Sequence, residues 1–250
     1  MNRLDRKVAC ITGAGRGIGA AIALALARAG AIVGMMDVDA RALAEVAARA
    51  PGSDAVVPLV CDVADRQQVH QTVNRLAAQA GGLDIVVNNA VRFHYAPLVE
   101  MPEDAVHGMV DVGLKGVFWV TQAATPHLIA RGGGCVVNLS SAAVAFGIRN
   151  AAVYTSIKGA IDAFTRQQAV ELGAHGIRVN AIAPGPVETP GAATAIDAAG
   201  WEARRNRTPL LRLATADEIG AAVVFLASDD ALSISGVTLR IDGGITVAGP

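Results

Sequence analysis

Residues 8–37 read V-A-C-I-T-G-A-G-R-G-I-G, then an alanine-rich stretch, then A-I-V-G-M-M-D. An apolar strand enters a glycine turn, the turn opens a helix, and a second apolar strand ends in an acid. Few folds accommodate that order: it specifies a parallel β-α-β unit with a right-handed crossover. It is also what a dinucleotide site requires. Gly13 permits a sharp turn, and Gly17 and Gly19, with Ile18 between them, let a pyrophosphate approach the free N–H groups of a helix N-terminus. Asp37 ends the second strand, where a carboxylate accepts hydrogen bonds from adenosine ribose hydroxyls.

The same alternation continues along the chain. Apolar runs predict strands near 7–12, 31–36, 55–61, 83–88, 133–139, 176–182 and 237–241, with helices near 17–29, 40–50, 65–80, 103–130, 153–174 and 215–227. Runs such as I-V-V-N and C-V-V-N-L are continuously apolar, as parallel strands covered on both faces require. The expected fold is therefore α/β: a Rossmann-type, doubly wound, seven-stranded parallel sheet with helices on both faces, in a single domain over 1–250. One region breaks the rhythm. Residues 184–212 are rich in Pro, Gly and Ala, with Pro184, Pro186, Pro190 and Pro209, and the part from about 186 to 212 is expected to form a lid over a site.

Composition narrows the function. The chain is 52% hydrophobic and only 17% charged, with a net charge of −1, which excludes a disordered protein and argues against nucleic-acid binding by phosphate neutralisation. Arg204, Arg205 and Arg207 form too short a basic run to alter that. Cys10, Cys61 and Cys135 lack metal or disulfide spacing, so they are expected to be core residues of a reduced protein. The apolar stretch 17–36 is interrupted by Arg28 and Gly30, and no secretory signal pattern precedes the glycine turn. A soluble, cytoplasmic protein with no membrane partner and no bound metal is expected.

Chemistry gathers outside the carboxyl ends of the predicted strands. Asp62 and Val63 follow the third strand, and Asn88-Asn89-Ala90 ends the fourth. Ser140-Ser141 follows the fifth, and Y-T-S-I-K at 154–158 opens the next helix. Tyr154 and Lys158 are four apart and share one helical face. A phenol titrating near ~10 is a poor base at neutral pH, and a nearby ammonium favours phenolate. Ser141 is placed to hydrogen-bond a substrate oxygen and turn it toward the phenol.

Taken together, these pieces resemble the short-chain dehydrogenase/reductase family over essentially the whole length. They are T-G-A-G-R-G-I-G at 12–19, Asp62-Val63, N-N-A at 88–90, Ser141, Tyr154 with Lys158, R-V-N-A-I-A-P-G-P-V-E-T at 178–189, and I-D-G-G at 241–244. The resemblance implies an oxidoreductase interconverting a secondary alcohol and a ketone by hydride transfer to or from a nicotinamide cofactor. It makes Tyr154 the acid/base, Ser141 the group that steadies the substrate oxygen, and Lys158 the partner of the nicotinamide ribose. Asn89, Ala90, Val187 and Thr189 fall at cofactor-contacting positions, and Pro184-Gly185 shapes the turn beneath the nicotinamide. Pairing through the helices at 103–130 and 153–174 into a homodimer or homotetramer is also implied, and both helices are apolar on more than one face.

Two departures qualify the resemblance. The family carries Asn within V-N-L-x-G as a fourth catalytic residue, and this chain reads V-G-L-K-G with Gly113 in that place. The implied outcome is an active enzyme with a weakened proton relay, held by the backbone carbonyl alone. Val91 replaces the glycine expected after N-N-A and is expected to crowd the nicotinamide side. As to cofactor, Arg16 in the glycine turn suits NADP, whereas Asp37 repels a 2′-phosphate and Val38 offers no compensating charge. NAD is expected. His94, Phe146, Arg149 and Trp201 are candidates for the substrate pocket, beside Arg92, Phe93, Tyr95 and Val144. Two alternatives stay open: a 3-oxoacyl thioester reductase acting on acyl-carrier-protein or coenzyme A substrates, and a nucleotide-binding protein impaired in catalysis by Gly113.

Overall fold

A computed structural model describes residues 4–52, 54–189, 191 and 196–248. Seven strands form one sheet: β1 (Val8–Thr12), β2 (Ile32–Asp37), β3 (Val56–Val60), β4 (Ile85–Asn88), β5 (Gly134–Leu139), β6 (Ile177–Pro184) and β7 (Thr238–Ile241), in the order β3-β2-β1-β4-β5-β6-β7. All pairings are parallel, with Val8 opposite Ile32, Ala9 opposite Ile85 and Cys135 opposite Arg178. The chain winds outward from β1 to β3, then returns to the other side of β1 to start β4. The loops leaving β1 and β4 therefore diverge, and the crevice between them is the switch point where ligands bind in such sheets.

Alternating side chains explain the apolar runs. From β1, Ala9 and Ile11 enter the core on one face, with Ile22 and Leu26 of α1 (Gly17–Arg28) and Ile219 and Val223 of a C-terminal helix at Ala216–Ala227. Val8 and Cys10 enter the other, with Val69, Val73 and Leu76 of the helix Arg66–Ala80. Both faces of every central strand are covered, which explains the apolar runs, and the polar residues buried on these strands, Asn88, Asn138 and Asn180, are hydrogen-bonded. Cys10, Cys61 and Cys135 are buried and unpaired, and burial pushes the Cys10 thiol up to about 12 and that of Cys135 to about 11.

Between the strands run α2 (Ala40–Ala47), α3 (Arg66–Ala80), α4 (Glu103–Val110), α5 (Gly116–Ala130), α6 (Ala152–Gly173), α7 (Ala198–Arg207) and α8 (Ala216–Ala227). Sequence capping signals hold: Asp65 accepts from the N–H groups of Gln67 and Gln68 at the start of α3, and Thr215 with Glu218 forms a capping box on α8. Two expectations need correction. The single helix expected over 103–130 is divided, because residues Asp111–Lys115 make one wider π turn between α4 and α5. Such a turn inserts an extra residue into the helical repeat, and buried Gly113 lies at its centre. The sequence predicts no helix between 174 and 215, yet Asp197 caps α7 there. Of the residues singled out there, Pro190 lies outside the described residues. Among the described residues no helix is long and apolar enough to cross a membrane.

Candidate active site

The crevice is built around Thr12, the last residue of β1. Its hydroxyl, almost fully buried, accepts from the backbone N–H groups of Asn89 and Ala90 at 3.0 Å each. The Asn89 side chain returns two bonds, its Nδ2 donating to the carbonyls of Thr12 at 2.9 Å and Gly13 at 3.0 Å. The loops after β1 and β4 are thus clasped together at the switch point. Asn89, expected at the cofactor, has its amide donors directed at the loop backbone and shapes the cradle. Thr12 was missed from sequence; a hydroxyl ending an otherwise apolar strand was the available signal.

The glycine turn itself leaves a hollow. Gly13 has φ of 65° and packs so closely on Ala90 that a Cβ would lie 2.9 Å from its Cα. At Gly19 a Cβ would stand 2.0 Å from the Gly13 carbonyl oxygen, so no side chain fits. Helix α1 begins there without a side-chain cap and without an acid in its first turn, with extended Arg16 at its N-cap. Its first N–H groups and positive dipole end therefore remain for an anion. At the far rim, Asp37 Oδ2 accepts from Gly15 N at 2.8 Å and Oδ1 from Asp39 N at 3.1 Å. The hollow, the uncapped helix and the carboxylate together fit a dinucleotide. Gly13, Gly17, Ile18 and Gly19 would hold its pyrophosphate, and Asp37 its adenosine ribose.

The remaining candidates surround this cradle unevenly. Asp62 Oδ1 caps its own turn by accepting from Ala64 N at 2.9 Å, and Val63 is buried beneath it. Thr189 sits 3.5 Å from where a Gly17 Cβ would be, bringing the start of the lid segment against the glycine turn. Val187 pairs with Ala214 by a single parallel bridge. Gly185, after Pro184, passes Asp242 so closely that a Cβ would meet its Cα at 2.8 Å. Arg16 is exposed, and Val91 is half-buried on the β4 loop.

The second half of the site lies at the end of β5 and the start of α6. Lys158 is 4% exposed, and its Nζ donates to the Leu139 carbonyl at 2.5 Å while lying 5.8 Å from the centre of the Tyr154 ring. Ser141 follows directly; its Oγ accepts from Ala143 N at 3.1 Å. Burial pushes the Tyr154 phenol above its ordinary value, and a hydrogen bond with the Ser141 side chain draws it partly back. Burial likewise lowers the Lys158 ammonium to about 8, with Asp162 opposing. This corrects the expectation of a phenol brought down by its lysine. Desolvation is the leading influence on both groups: it outweighs the Ser141 hydrogen bond at Tyr154 and the Asp162 charge at Lys158.

Aromatic rings cover the phenol. Phe93 and Tyr95, from the loop after β4, lie with ring centroids 5.5 and 6.0 Å from Tyr154 and 6.0 Å from each other. His94, Phe146 and Arg149 are exposed, whereas Trp201 of α7 is buried. Beneath the site runs a buried polar ladder that sequence reasoning also missed. Asn88 Nδ2 donates to Asn138 Oδ1 at 2.8 Å and Thr121 Oγ1 at 3.1 Å, and Asn138 Nδ2 donates to Thr165 Oγ1 at 2.9 Å. It ties the ends of β4 and β5 to α5 and α6, so the clasp at Asn89 and the Tyr154 helix share one rigid support.

Gly113 lies against that helix. A Cβ at this position would meet Ile157 Cγ2 at 3.3 Å, and Ile157, which precedes Lys158, is itself buried. The room a larger residue needs is occupied from α6. Gly113→Asn alone is expected to destabilise the fold by about 1–2 kcal/mol through overpacking, without raising turnover. With Ile157→Ala in the same chain the two changes are expected to couple favourably by about 1 kcal/mol or more. Urea unfolding of the four chains of this cycle measures the coupling; additive effects would mean that the two positions do not compete for space.

Comparison with known proteins agrees with this geometry. A family model described as enoyl-(acyl carrier protein) reductase matches residues 13–246. The chain is 37% identical to the 3-oxoacyl-(acyl-carrier-protein) reductase FabG of Thermotoga maritima over 246 residues, covering 98% of this chain and 100% of that protein. It is 38% identical to D-threitol dehydrogenase of Mycolicibacterium smegmatis over 246 residues, covering 98% and 95%. A crystal structure of a gluconate 5-dehydrogenase from Burkholderia cenocepacia, in complex with NADP and tartrate, superposes with a TM-score of 0.93 at 38% identity, covering 99% of this chain and 98% of the other. With the glycine cradle, the Tyr154–Lys158 helix and matches of this extent on one sheet, the chain belongs to the short-chain dehydrogenase/reductase family.

Proposed function

We propose that this protein is an NAD-dependent oxidoreductase that interconverts a secondary alcohol and a ketone, with Ser141, Tyr154 and Lys158 as its catalytic residues. The observation that carries the reading is the placement of Tyr154 beside Lys158 and Ser141, across the switch point from the cradle closed by Thr12 and Asn89. When bound, the nicotinamide supplies the acceptor or donor of hydride. Tyr154 takes the carbinol proton in oxidation and returns one to the carbonyl oxygen in reduction. Ser141 holds that oxygen in line with the phenol, and the Lys158 ammonium, anchored on the Leu139 carbonyl, stabilises phenolate as it forms. Phe93 and Tyr95 exclude water from the phenol. Pro184, Gly185, Val187 and Thr189 are assigned to the nicotinamide half, and Asp62, Val63, Asn89 and Ala90 to the adenosine side and the cradle wall.

NAD follows from Asp37. Its carboxylate is pinned over the glycine turn by Gly15 N, and the next residue, Val38, is 64% exposed and uncharged, so position 38 offers no charge to a 2′-phosphate against the repulsion of Asp37. Asp37→Ala is expected to reduce the preference for NAD over NADP by about tenfold or more, and to weaken both cofactors somewhat because Gly15 N loses its acceptor. Steady-state kcat/KM with each cofactor checks this; an unchanged ratio would place the discrimination elsewhere. The activity is tested by oxidising a panel of secondary alcohols at alkaline pH with NAD and NADP. Cofactor binding without turnover in either direction would favour the impaired binding protein that Gly113 raised. Turnover confined to NADPH and acetoacetyl thioesters would favour the 3-oxoacyl reductase reading.

The buried, unpaired thiols support a reducing, cytoplasmic setting. An oligomer through α5 and α6 is supported by the ring pair Phe118–Phe164 at 5.0 Å, with Phe118 exposed, and by exposed Val170 on α6.

A further inference from the structure

The last strand of the sheet ends against the site. Strand β7 has four residues and pairs only with β6, Pro184 lying opposite Ile241, and Gly185 N donates to the Ile241 carbonyl at 2.9 Å. The next residue, Asp242, is 8% exposed. Its Oδ1 accepts from Gly244 N at 2.9 Å, and its Oδ2 accepts from Thr246 N at 3.2 Å and from the Thr246 hydroxyl at 2.5 Å. Burial pushes the Asp242 carboxyl up, but these donors and the Arg240 charge overcome it and hold the group below the usual carboxylate range. One carboxylate thus closes the turn 242–246. Gly243 and Gly244 within it take φ of 63° and 90°, and glycine backbone lends such a turn little stiffness of its own.

This turn is wedged between two parts of the site. On one side Gly185 passes so close that a Cβ would stand 2.8 Å from Asp242 Cα. On the other, the Gly243 carbonyl accepts from Leu210 N at 3.2 Å, and a Cβ on Gly244 would meet Pro209 Cγ at 3.2 Å. The end of the lid segment therefore rests on the same wedge. The run that leaves Gly185 joins the two halves of the site. At its origin β6 lies beside the end of β5, where Ser140 N donates to the Ile182 carbonyl at 2.7 Å, one residue before Ser141. At its far end Thr189 meets the glycine turn, 3.5 Å from where a Gly17 Cβ would be.

We propose that Asp242 is a positioning residue for the cofactor: by fixing the turn 242–246 it sets the place of Gly185, and with it the seat of the nicotinamide between the glycine turn and Tyr154. The assignment rests on the oxidoreductase reading above and extends that site to a residue acting only through Gly185. The reaction itself stays with Ser141, Tyr154 and Lys158.

The test compares NADH with ADP-ribose, which keeps the adenosine and pyrophosphate and lacks the nicotinamide, by isothermal titration calorimetry of the full chain. Wild type, Asp242→Ala and Asp242→Asn are titrated side by side, with circular dichroism reporting that each is folded. Asp242→Ala is expected to weaken NADH by about tenfold or more while ADP-ribose stays within about twofold. Asp242→Asn keeps the volume and one acceptor oxygen, and is expected to weaken NADH alone by about threefold. With a secondary alcohol, kcat is expected to fall in the same order, because hydride transfer depends on where the ring is held. A merely structural role for Asp242 would weaken NADH and ADP-ribose together. That result in both variants, or NADH affinity indifferent to Asp242→Ala, would overturn the proposal while leaving the oxidoreductase reading intact. If Asp242→Ala does not fold, the ratio measured on Asp242→Asn decides alone: selective loss of NADH supports the proposal and parallel loss overturns it. Wild type that binds neither NADH nor ADP-ribose would instead overturn the reading on which it rests.

Discussion

Tyr154→Phe is expected to lower kcat by about 10³-fold for alcohol oxidation while leaving the dissociation constant of NADH within about twofold. The substitution removes one hydroxyl and keeps the ring, so the packing of Phe93 and Tyr95 on it persists. The proton of the carbinol then has no acceptor in line with Ser141. Intrinsic fluorescence titration with NADH separates the two effects, because the glycine cradle and Asp37 do not depend on the phenol. Turnover within tenfold of wild type would assign the proton to another group and remove the mechanism proposed above. The pH dependence has a definite sign. Burial holds the phenol high and the Ser141 hydrogen bond draws it down, so oxidation should accelerate toward alkaline pH as phenolate becomes available. Removing that bond with Ser141→Ala should displace the rise to still higher pH, in addition to lowering the plateau.

Lys158→Met should show the opposing demands of stability and chemistry. Burial lowers the ammonium from its ordinary value near 10.5 to about 8, which corresponds to a cost of about 3 kcal/mol at neutral pH. Methionine keeps most of the volume and removes that cost. It also strands the Leu139 carbonyl, which now accepts from Nζ, at a loss of about 1–2 kcal/mol. The net expectation at pH 7 is a thermal midpoint raised by roughly 2–6 °C, with turnover reduced by about two orders of magnitude or more. Above pH 8 the folded lysine sheds its proton while the unfolded chain still binds one, so wild type gains stability relative to the variant up to about pH 10.5. Differential scanning calorimetry of both proteins at pH 7 and pH 10 reads this directly. A variant melting below wild type at pH 7 would show that the buried ammonium is well solvated by its surroundings.

Much of the site was legible because its residues answer to local rules. The turn at Gly13 needs a positive φ, the start of α1 needs an absent side chain at Gly19, and Asp37 marks the end of a strand by interrupting an apolar run. Tyr154 and Lys158 share a helical face whatever the tertiary structure, because they are one turn apart. Thr12 was not legible in the same way. Its role as acceptor for Asn89 N and Ala90 N depends on two loops separated by 77 and 78 residues meeting at the switch point. Nor was the π turn at 111–115, since an i→i+5 turn differs from its flanks by one inserted residue and leaves the apolar pattern intact. Ile157 reads as an ordinary core residue until α6 is laid against Gly113.

Electrostatics divides along the same line. The spacing of Tyr154 and Lys158 shows that an ammonium stands near a phenol, but not how deeply either is buried. Depth decides the outcome here, because removing each group from water opposes its charged form more strongly than Ser141 supports the phenolate or Asp162 the ammonium. Arg204 and Arg205 are adjacent in sequence and indistinguishable in type. Only the fold sends one to Glu188 and sets the other over Trp201. The sequence by itself determined the sheet, its parallel winding, the cradle and the pairing of Tyr154 with Lys158 on one helical face, because periodicity, backbone freedom and spacing are properties of neighbours in the chain. Desolvation, competition for volume at Gly113 and the pairing of Arg205 with Glu188 were decided by the tertiary structure, because each depends on what the fold packs against a side chain from farther away in sequence.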